Sequence, residues 1–212
     1  LSVPLVFPST HPLVQTKIAA LRSKDTGPAE FRRLVRGLAS LLAYEATADL
    51  PTHPVDVTTP LEAAQGRRVT DSVGIVPILR AGLGMVEGIL ELLPDAQVWH
   101  VGVFRDEHTL RPTEYYNKIP IRPRMSVALI LDPMLATGGS AVHACQIMKA
   151  AGVERLKFVG LIAAPEGIAR LTAAMPDVPI HVGAVDERLN SVGFICPGLG
   201  DAGDRQFATF AS

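Results

Sequence analysis

Apolar and polar positions along this chain change rhythm near residue 71. Before that point the rhythm is helical. Leu13, Ile18 and Leu21 recur at helical spacing and predict a helix over 13–21. Asp25-Thr26-Gly27-Pro28 interrupts it, and Pro28 suits the first turn of a second helix. Phe31, Leu34, Val35, Leu38, Leu41 and Leu42 carry that helix to about Tyr44. Three prolines among the first twelve residues predict an irregular arm there, and Pro51 and Pro54 predict the end of regular structure. Residues 55–69 read as two short strands about a turn, a flap. From Asp71 the pattern alternates. Short apolar runs predict strands at 73–79, 98–104, 126–131, 156–163 and 180–185. Amphipathic runs between them predict helices at 81–93, 141–151 and 165–174. The alternation predicts an α/β fold with a mostly parallel central sheet flanked by helices. Residues 105–123 break the rhythm. They are polar, punctuated by proline and long for a plain loop, which predicts a hairpin arm or a lid.

The organising stretch is 127–151. Val127-Ala128-Leu129-Ile130-Leu131 is uniformly apolar, as in a strand buried on both faces. It ends in Asp132, and a turn of small residues follows, Ala136-Thr137-Gly138-Gly139-Ser140. Val142, Cys145, Ile147, Met148 and Ala151 then mark a helix that Gly152 stops. Strand, glycine–hydroxyl turn and helix start together form an anion cradle. Glycines let backbone N–H groups approach a phosphate, hydroxyls donate further hydrogen bonds, and the helix N-terminus carries partial positive charge. On small-residue content alone the same turn is equally an ordinary capped strand-to-helix connection. Asp132 favours the cradle, because a carboxylate beside a phosphate site suits a ligand that also offers sugar hydroxyls. The local chemistry therefore predicts a ribose 5-phosphate unit. No P-loop pattern occurs.

Other stretches add to this site. Arg80-Ala81-Gly82 follows a strand and reads as a second anion loop, or as a surface arginine beside a glycine turn. Arg105 ends a strand and enters a charged run. Taken alone it is a solvated charge. The ends of three predicted strands, Leu79, Phe104 and Leu131, thus carry or precede Arg80, Arg105 and Asp132, at the edge where parallel sheets bind ligands. Gly198-Leu199-Gly200-Asp201-Ala202-Gly203 fits the dinucleotide pattern G-x-G-x-x-G. Only nine residues follow Gly203, too few for the helix, second strand and distant acid of that fold. A rigid turn that presents backbone N–H and C=O to a flat ligand fits better. The six histidines are scattered without metal-ligand spacing and read as structural or surface residues. Ser140 has no His–Asp partner nearby in sequence and lies outside G-x-S-x-G.

Composition narrows the class. A chain of 212 residues with 48% apolar content can bury one core. A net charge of −1 gives no sign of a nucleic-acid or membrane surface. Cys145 and Cys196 sit among apolar neighbours and are expected to be buried thiols in a reducing, cytoplasmic setting. The sequence shows no charged-then-apolar pattern in its first residues, so no secretory leader is expected from them. Its first residue is Leu, so the initiator methionine is expected to lie outside it.

Asp132-Pro133-Met134-Leu135-Ala136-Thr137-Gly138-Gly139-Ser140 resembles the diphosphoribosyl-binding motif of the type I phosphoribosyltransferases. Pro133, where most of that superfamily has a second acid, resembles the uracil phosphoribosyltransferase family in particular. Tyr44–Leu50, Pro77–Gly84 and Pro197–Arg205 match the same family, and the resemblance runs from about His11 to Phe207. It implies one phosphoribosyltransferase domain over 1–212. The core would span about 71–185, with a small hood from about 1–70 and 186–212 and a β-arm. It implies conversion of uracil and 5-phosphoribosyl diphosphate to UMP and diphosphate. The rivals are transfer to another base, or a nucleotide-binding regulator of the same fold. It implies that Arg80, Arg105, Asp132, Pro133, Met134, Leu135, Ala136, Thr137, Gly138, Gly139, Ser140 and Asp201 bind the donor. Ile195, Gly200, Asp201 and Ala202 would line the uracil pocket, with Asp132, Asp201 and Arg105 closest to the chemistry. It further implies Mg²⁺ held mainly through the donor's diphosphate, a non-proline cis peptide near Arg80, GTP as an effector, and a homodimer or larger assembly. The sequence departs from the family at its end: Phe207-Ala208-Thr209-Phe210-Ala211-Ser212 stands where a Gly-Thr-Lys ending is usual.

Overall fold

The computed structural model describes residues 5–105 and 112–209, with backbone alone at 104–105 and 112–113. In chain order the elements are β1 (Val6–Pro8), α1 (Pro12–Arg22), α2 (Pro28–Ala46), β2 (Thr52–Thr58), β3 (Ala63–Val69), β4 (Val73–Leu79) and α3 (Leu83–Leu90). Next come β5 (Gln97–Val98), β6 (Val101–Arg105), β7 (Pro112–Asn117), β8 (Val127–Leu131), β9 (Met134–Leu135) and α4 (Gly139–Ala150). The chain continues with β10 (Arg155–Ala163), α5 (Pro165–Ala174), β11 (Ile180–Val185), β12 (Arg188–Leu189), β13 (Ile195–Cys196) and α6 (Ala202–Phe207).

The main sheet runs β1-β11-β10-β8-β4-β6-β7, with β5 also on β4 and β9 also on β10. Every pair in it is parallel except β6–β7. Its central strands are apolar on both faces because helices cover both. Ile75, Leu129, Leu131, Val159 and Leu161 point into one cluster with α1, α2 and α3. Their neighbours Val76, Ile78, Ala128, Ile130 and Phe158 point into the other with α4 and α5. This is the period-two alternation of a strand read across two cores. Truncating a fully buried Leu129 or Ile130 to alanine costs about 2–5 kcal/mol. Helix α2 begins with Pro28 in its first turn, buries Phe31, Leu34, Val35, Leu38 and Leu42, and ends with the Thr47 N–H donating to Ala43.

The structure corrects several expectations. The expected irregular N-terminal arm contains β1, an edge strand parallel to β11, where Pro8 is tolerated because one side needs no partner. Pro54 does not end structure but sits inside β2, opposite Arg67 in an isolated two-stranded hairpin that is all edge. The strand expected at 98–104 is two pieces. The Trp99 N–H donates to Ile75 at 2.9 Å, and pairing resumes only at Val101. Helix α3 spans less than the expected 81–93, because Arg80–Gly82 forms a turn before it. β9 and α6 were not foreseen as regular elements, being two and six residues long. Cys145 is buried, its thiol pushed up to about 12 by burial, whereas Cys196 is only partly buried. The segment 105–123 contributes β7 as the antiparallel partner of β6, and residues 106–111 lie outside the described chain.

Candidate functional site

Strands β8, β4 and β6 are adjacent and parallel, so their C-terminal ends lie side by side. The first component of the site follows β8. Asp132 leaves the strand with its N–H on Val159, and β9 then re-pairs with β10. Met134 and Leu135 are thereby strand residues that anchor the turn, with Leu135 buried in the second core cluster. Gly138 takes the left-handed conformation at φ +75° just before α4. A Cβ there would lie 2.8 Å from the Gly167 carbonyl, so the turn is pressed against α5. The N–H groups of Thr137 to Ala141 have no acceptor among the described residues. They open the α4 N-terminus beside a small cavity of about 80 Å³ lined by Asp132 and residues 134–141. A row of free donors at a helix start favours an anion.

Asp132 is partly exposed at the foot of this turn. Loss of hydration pushes its carboxyl from 3.8 up to about 7, and the negative charge of Asp201 adds to the rise. The Met134 N–H, at 3.5 Å from Oδ1, pulls weakly the other way. Asp132 and Asp201 thus lie close enough for their charges to interact, although 69 residues separate them in the chain.

The second component follows β4. The Leu79–Arg80 peptide is cis. Gly82 packs where a Cβ would sit 2.6 Å from the Leu131 carbonyl, which draws this loop against the end of β8. The Arg80 guanidinium lies 3.4 Å from Asp204 Oδ1 and from Thr209 Oγ1. The backbone of Arg105 closes β6 beside it, and its side chain lies outside what is described.

The third component is the C-terminal turn. β12 and β13 form a short antiparallel pair, the Cys196–Pro197 peptide is cis, and Gly198 and Gly200 take φ +65° and +80°. Asp201 caps α6, its Oδ1 accepting the Asp204 N–H at 2.8 Å. Ile195 and Ala202 are buried. The N–H groups of Gly200 and Ala202 have no acceptor among the described residues. Helix α6 also reaches the second loop, because Gln206 Nε2 donates to the Ala81 carbonyl at 3.1 Å.

The fold therefore gathers Arg80, Asp132, the 136–140 turn and Asp201 at one end of the sheet. Sequence reasoning missed Asp204, Gln206 and Thr209, which hold the second loop, and Arg170, whose Nη1 lies 3.4 Å from the Thr137 carbonyl. Each acts across the fold, so no local pattern marks it. Among the described residues no three His, Cys, Asp or Glu side chains cluster as a metal site. His181 is buried and stacked on Phe7, and burial pushes it down to about 4.

The family profile described as "Uracil phosphoribosyltransferase" matches residues 8–209. The chain belongs to the uracil phosphoribosyltransferase family. A uracil phosphoribosyltransferase from Roseiflexus sp. (strain RS-1) is 56% identical over 204 residues, covering 96% of this chain and 98% of its own. One from Symbiobacterium thermophilum is 54% identical, covering 94% and 96%. The solved structure of AQ2163 protein from Aquifex aeolicus superposes with a TM-score of 0.91 at 38% identity, covering 98% of this chain and all of that one. The adenine phosphoribosyl transferase of Trypanosoma brucei, at 14% identity and a TM-score of 0.56 over 87% of this chain and 84% of its own, shares the fold alone.

Proposed function

We propose that this chain transfers the 5-phosphoribosyl group of 5-phosphoribosyl diphosphate to N1 of uracil, giving UMP and diphosphate. The observation that carries this reading is the row of free N–H groups from Thr137 to Ala141, with Asp132 at its foot. In this reading the 5-phosphate sits on Thr137–Ser140, with Pro133, Met134, Leu135 and Ala136 shaping the wall. Asp132 accepts hydrogen bonds from the ribose hydroxyls. Arg80, the Ala81 turn and Arg105 receive the diphosphate. Ile195, Gly200 and Ala202 line the uracil pocket, and Asp201 stands between base and donor.

The C1′–O bond breaks ahead of N1–C1′ bond formation, through an oxocarbenium-like state. Diphosphate leaves with the bonding electron pair, and the proton lost from N1 passes to water. Catalysis is then positioning and charge stabilisation. Two carboxylates without a third fit a cation that arrives on its substrate, so Asp132 and Asp201 would border Mg²⁺ bound chiefly through the diphosphate. When bound, Mg²⁺ neutralises charge on the leaving diphosphate. We read the described residues of about 1–70 and 186–212 as a hood over the sheet end within a single domain, and the chain as a cytoplasmic homodimer or larger. The apolar Ile121, 86% exposed next to β7, is a surface a partner would cover. GTP is retained as an effector on the family resemblance alone.

A radiolabelled-base assay with uracil, cytosine, orotate and hypoxanthine, each with the same donor, tests the reading. Nucleotide should form from uracil alone. Turnover of another base at equal kcat/KM would overturn it.

A further inference from the structure

The turn that reads the base in the proposed function has glycines at 198 and 200, both at positive φ. Glycines have no side chains with which to fix themselves, and backbone readout of a flat base fails if its N–H groups wander. Rigidity must come from elsewhere. Arg22 is the last residue of α1. Its Nη1 donates to Asp186 Oδ2 at 2.7 Å and to the Gly198 carbonyl at 2.8 Å, and its Nη2 pairs with Asp186 Oδ1. Asp186 Oδ2 also accepts the Gly198 N–H at 2.9 Å. Asp186 is itself pinned, its own N–H donating to the Ala163 carbonyl at the end of β10. Both backbone groups of Gly198 are thus held by one ion pair whose carboxylate side chain is 3% exposed. Behind it, Arg205 Nη1 donates to the Leu199 carbonyl and to the Leu21 carbonyl, each at 2.8 Å. An ion pair that served only to join α1 to β11 would have no need of the Gly198 peptide groups.

We infer that Arg22 and Asp186 are positioning residues for base recognition, holding the 198–200 turn so that its free N–H groups stay aimed at the base. The inference rests on the reading of that turn as the uracil site. The pair touches neither donor loop, so its loss should act on uracil and spare the donor. In Arg22→Met and Asp186→Asn, KM for uracil should rise about 10–100-fold, the range expected when one or two hydrogen bonds to the bound base are lost. KM for 5-phosphoribosyl diphosphate and kcat at saturating uracil should stay within about threefold. Arg22→Lys, which keeps the charge but not the two-armed grip, should fall between wild type and Arg22→Met. It also serves as the test variant if the others fail to fold. A role in stability alone would lower Tm with KM for uracil unchanged, and that result would overturn the inference. Wild-type protein that does not turn over uracil would instead overturn the reading of the site.

Discussion

Two glycine turns contribute to the candidate site, and they are built in different ways. The 136–140 turn is assembled by its own neighbours in sequence. β8 delivers it, β9 anchors it to β10, and α4 begins within it. The 198–202 turn has local support at its C-terminal side, where Asp201 caps α6 and Arg205 reaches back to Leu199, but its glycine at 198 is held from far away. Its geometry is imposed by Arg22, Asp186 and Arg205 from α1, the end of β11 and α6. A phosphate presents the same charged oxygens in every ligand, so a generic strand–turn–helix suffices. A base must be told from its relatives by the position of single N–H groups, and that demands bracing from outside the turn.

The largest test of this contrast is a pair of substitutions. Gly138→Ala forces a Cβ to 2.8 Å from the Gly167 carbonyl at φ +75°, and Gly198→Ala forces one to 2.0 Å from the Ile195 carbonyl at φ +65°. We expect the first to raise KM for the donor and the second to raise KM for uracil, each by about 100-fold. Steady-state kinetics with either substrate varied would show the two effects crossing over; the same KM raised by both variants would erase the distinction.

Asp132→Asn sharpens the donor side. Losing a charged acceptor costs about 1.5–3 kcal/mol, so kcat/KM for the donor should fall about 10- to 150-fold. Stability should move the other way. The Asp132 carboxyl is raised from 3.8 to about 7 in the folded protein, which therefore holds the proton more tightly than the unfolded chain. Ionisation costs stability, beginning as pH rises through about 4 and complete above about 7. The asparagine variant should gain about 1–2 kcal/mol at pH 8, after allowance for the group's partial exposure, and nothing at pH 4. Thermal melts at the two pH values check the sign.

Ala202→Pro probes the base side more gently. Ala202 is the first residue of α6, where proline is tolerated, and Asp201 before it is already extended at φ −83° and ψ 117°. The helix should survive while one N–H disappears. A rise of about tenfold in KM for uracil, with Tm within a few degrees of wild type, is the expected result. An unchanged KM would remove the Ala202 N–H from base recognition. The smallest effect concerns Ala208, which ends α6 in the left-handed region at φ +55° and ψ 37°, where a Cβ is strained. Ala208→Gly should stabilise the protein by about 1 kcal/mol, seen as a rise of about 2–4 °C in Tm.

What could be read from the sequence follows the same division. Strands 73–79 and 180–185 and helix 165–174 match the structure residue for residue, because their apolar runs are long and bounded by turn residues. The strand–turn–helix geometry at 127–150 was legible for the same reason: strand, glycine and helix start are contiguous. β1 was hidden because an edge strand of three residues owes its existence to β11, not to its own pattern. The gap at Trp99 and His100 was hidden because both sit within an apolar run that pairs on either side of them. Arg22 and Asp186 were silent as site residues. One is a basic residue in the last turn of an amphipathic helix and the other an acid after a strand, each ordinary until the fold joins them.

The bracing of the 198–202 turn has a consequence for how the molecule opens. The hydrogen bonds from Arg22 and Arg205 to Asp186, Gly198 and Leu21 span 164, 176 and 184 residues of chain. Contacts of such separation form late and carry the full entropy of closing a long loop. The 127–163 unit that holds the cradle needs no such closure. Partial opening should therefore begin at the base turn, with the Gly198 amide exchanging with solvent deuterium before the amides of β8, and the protein should lose its grip on uracil while it still holds phosphate.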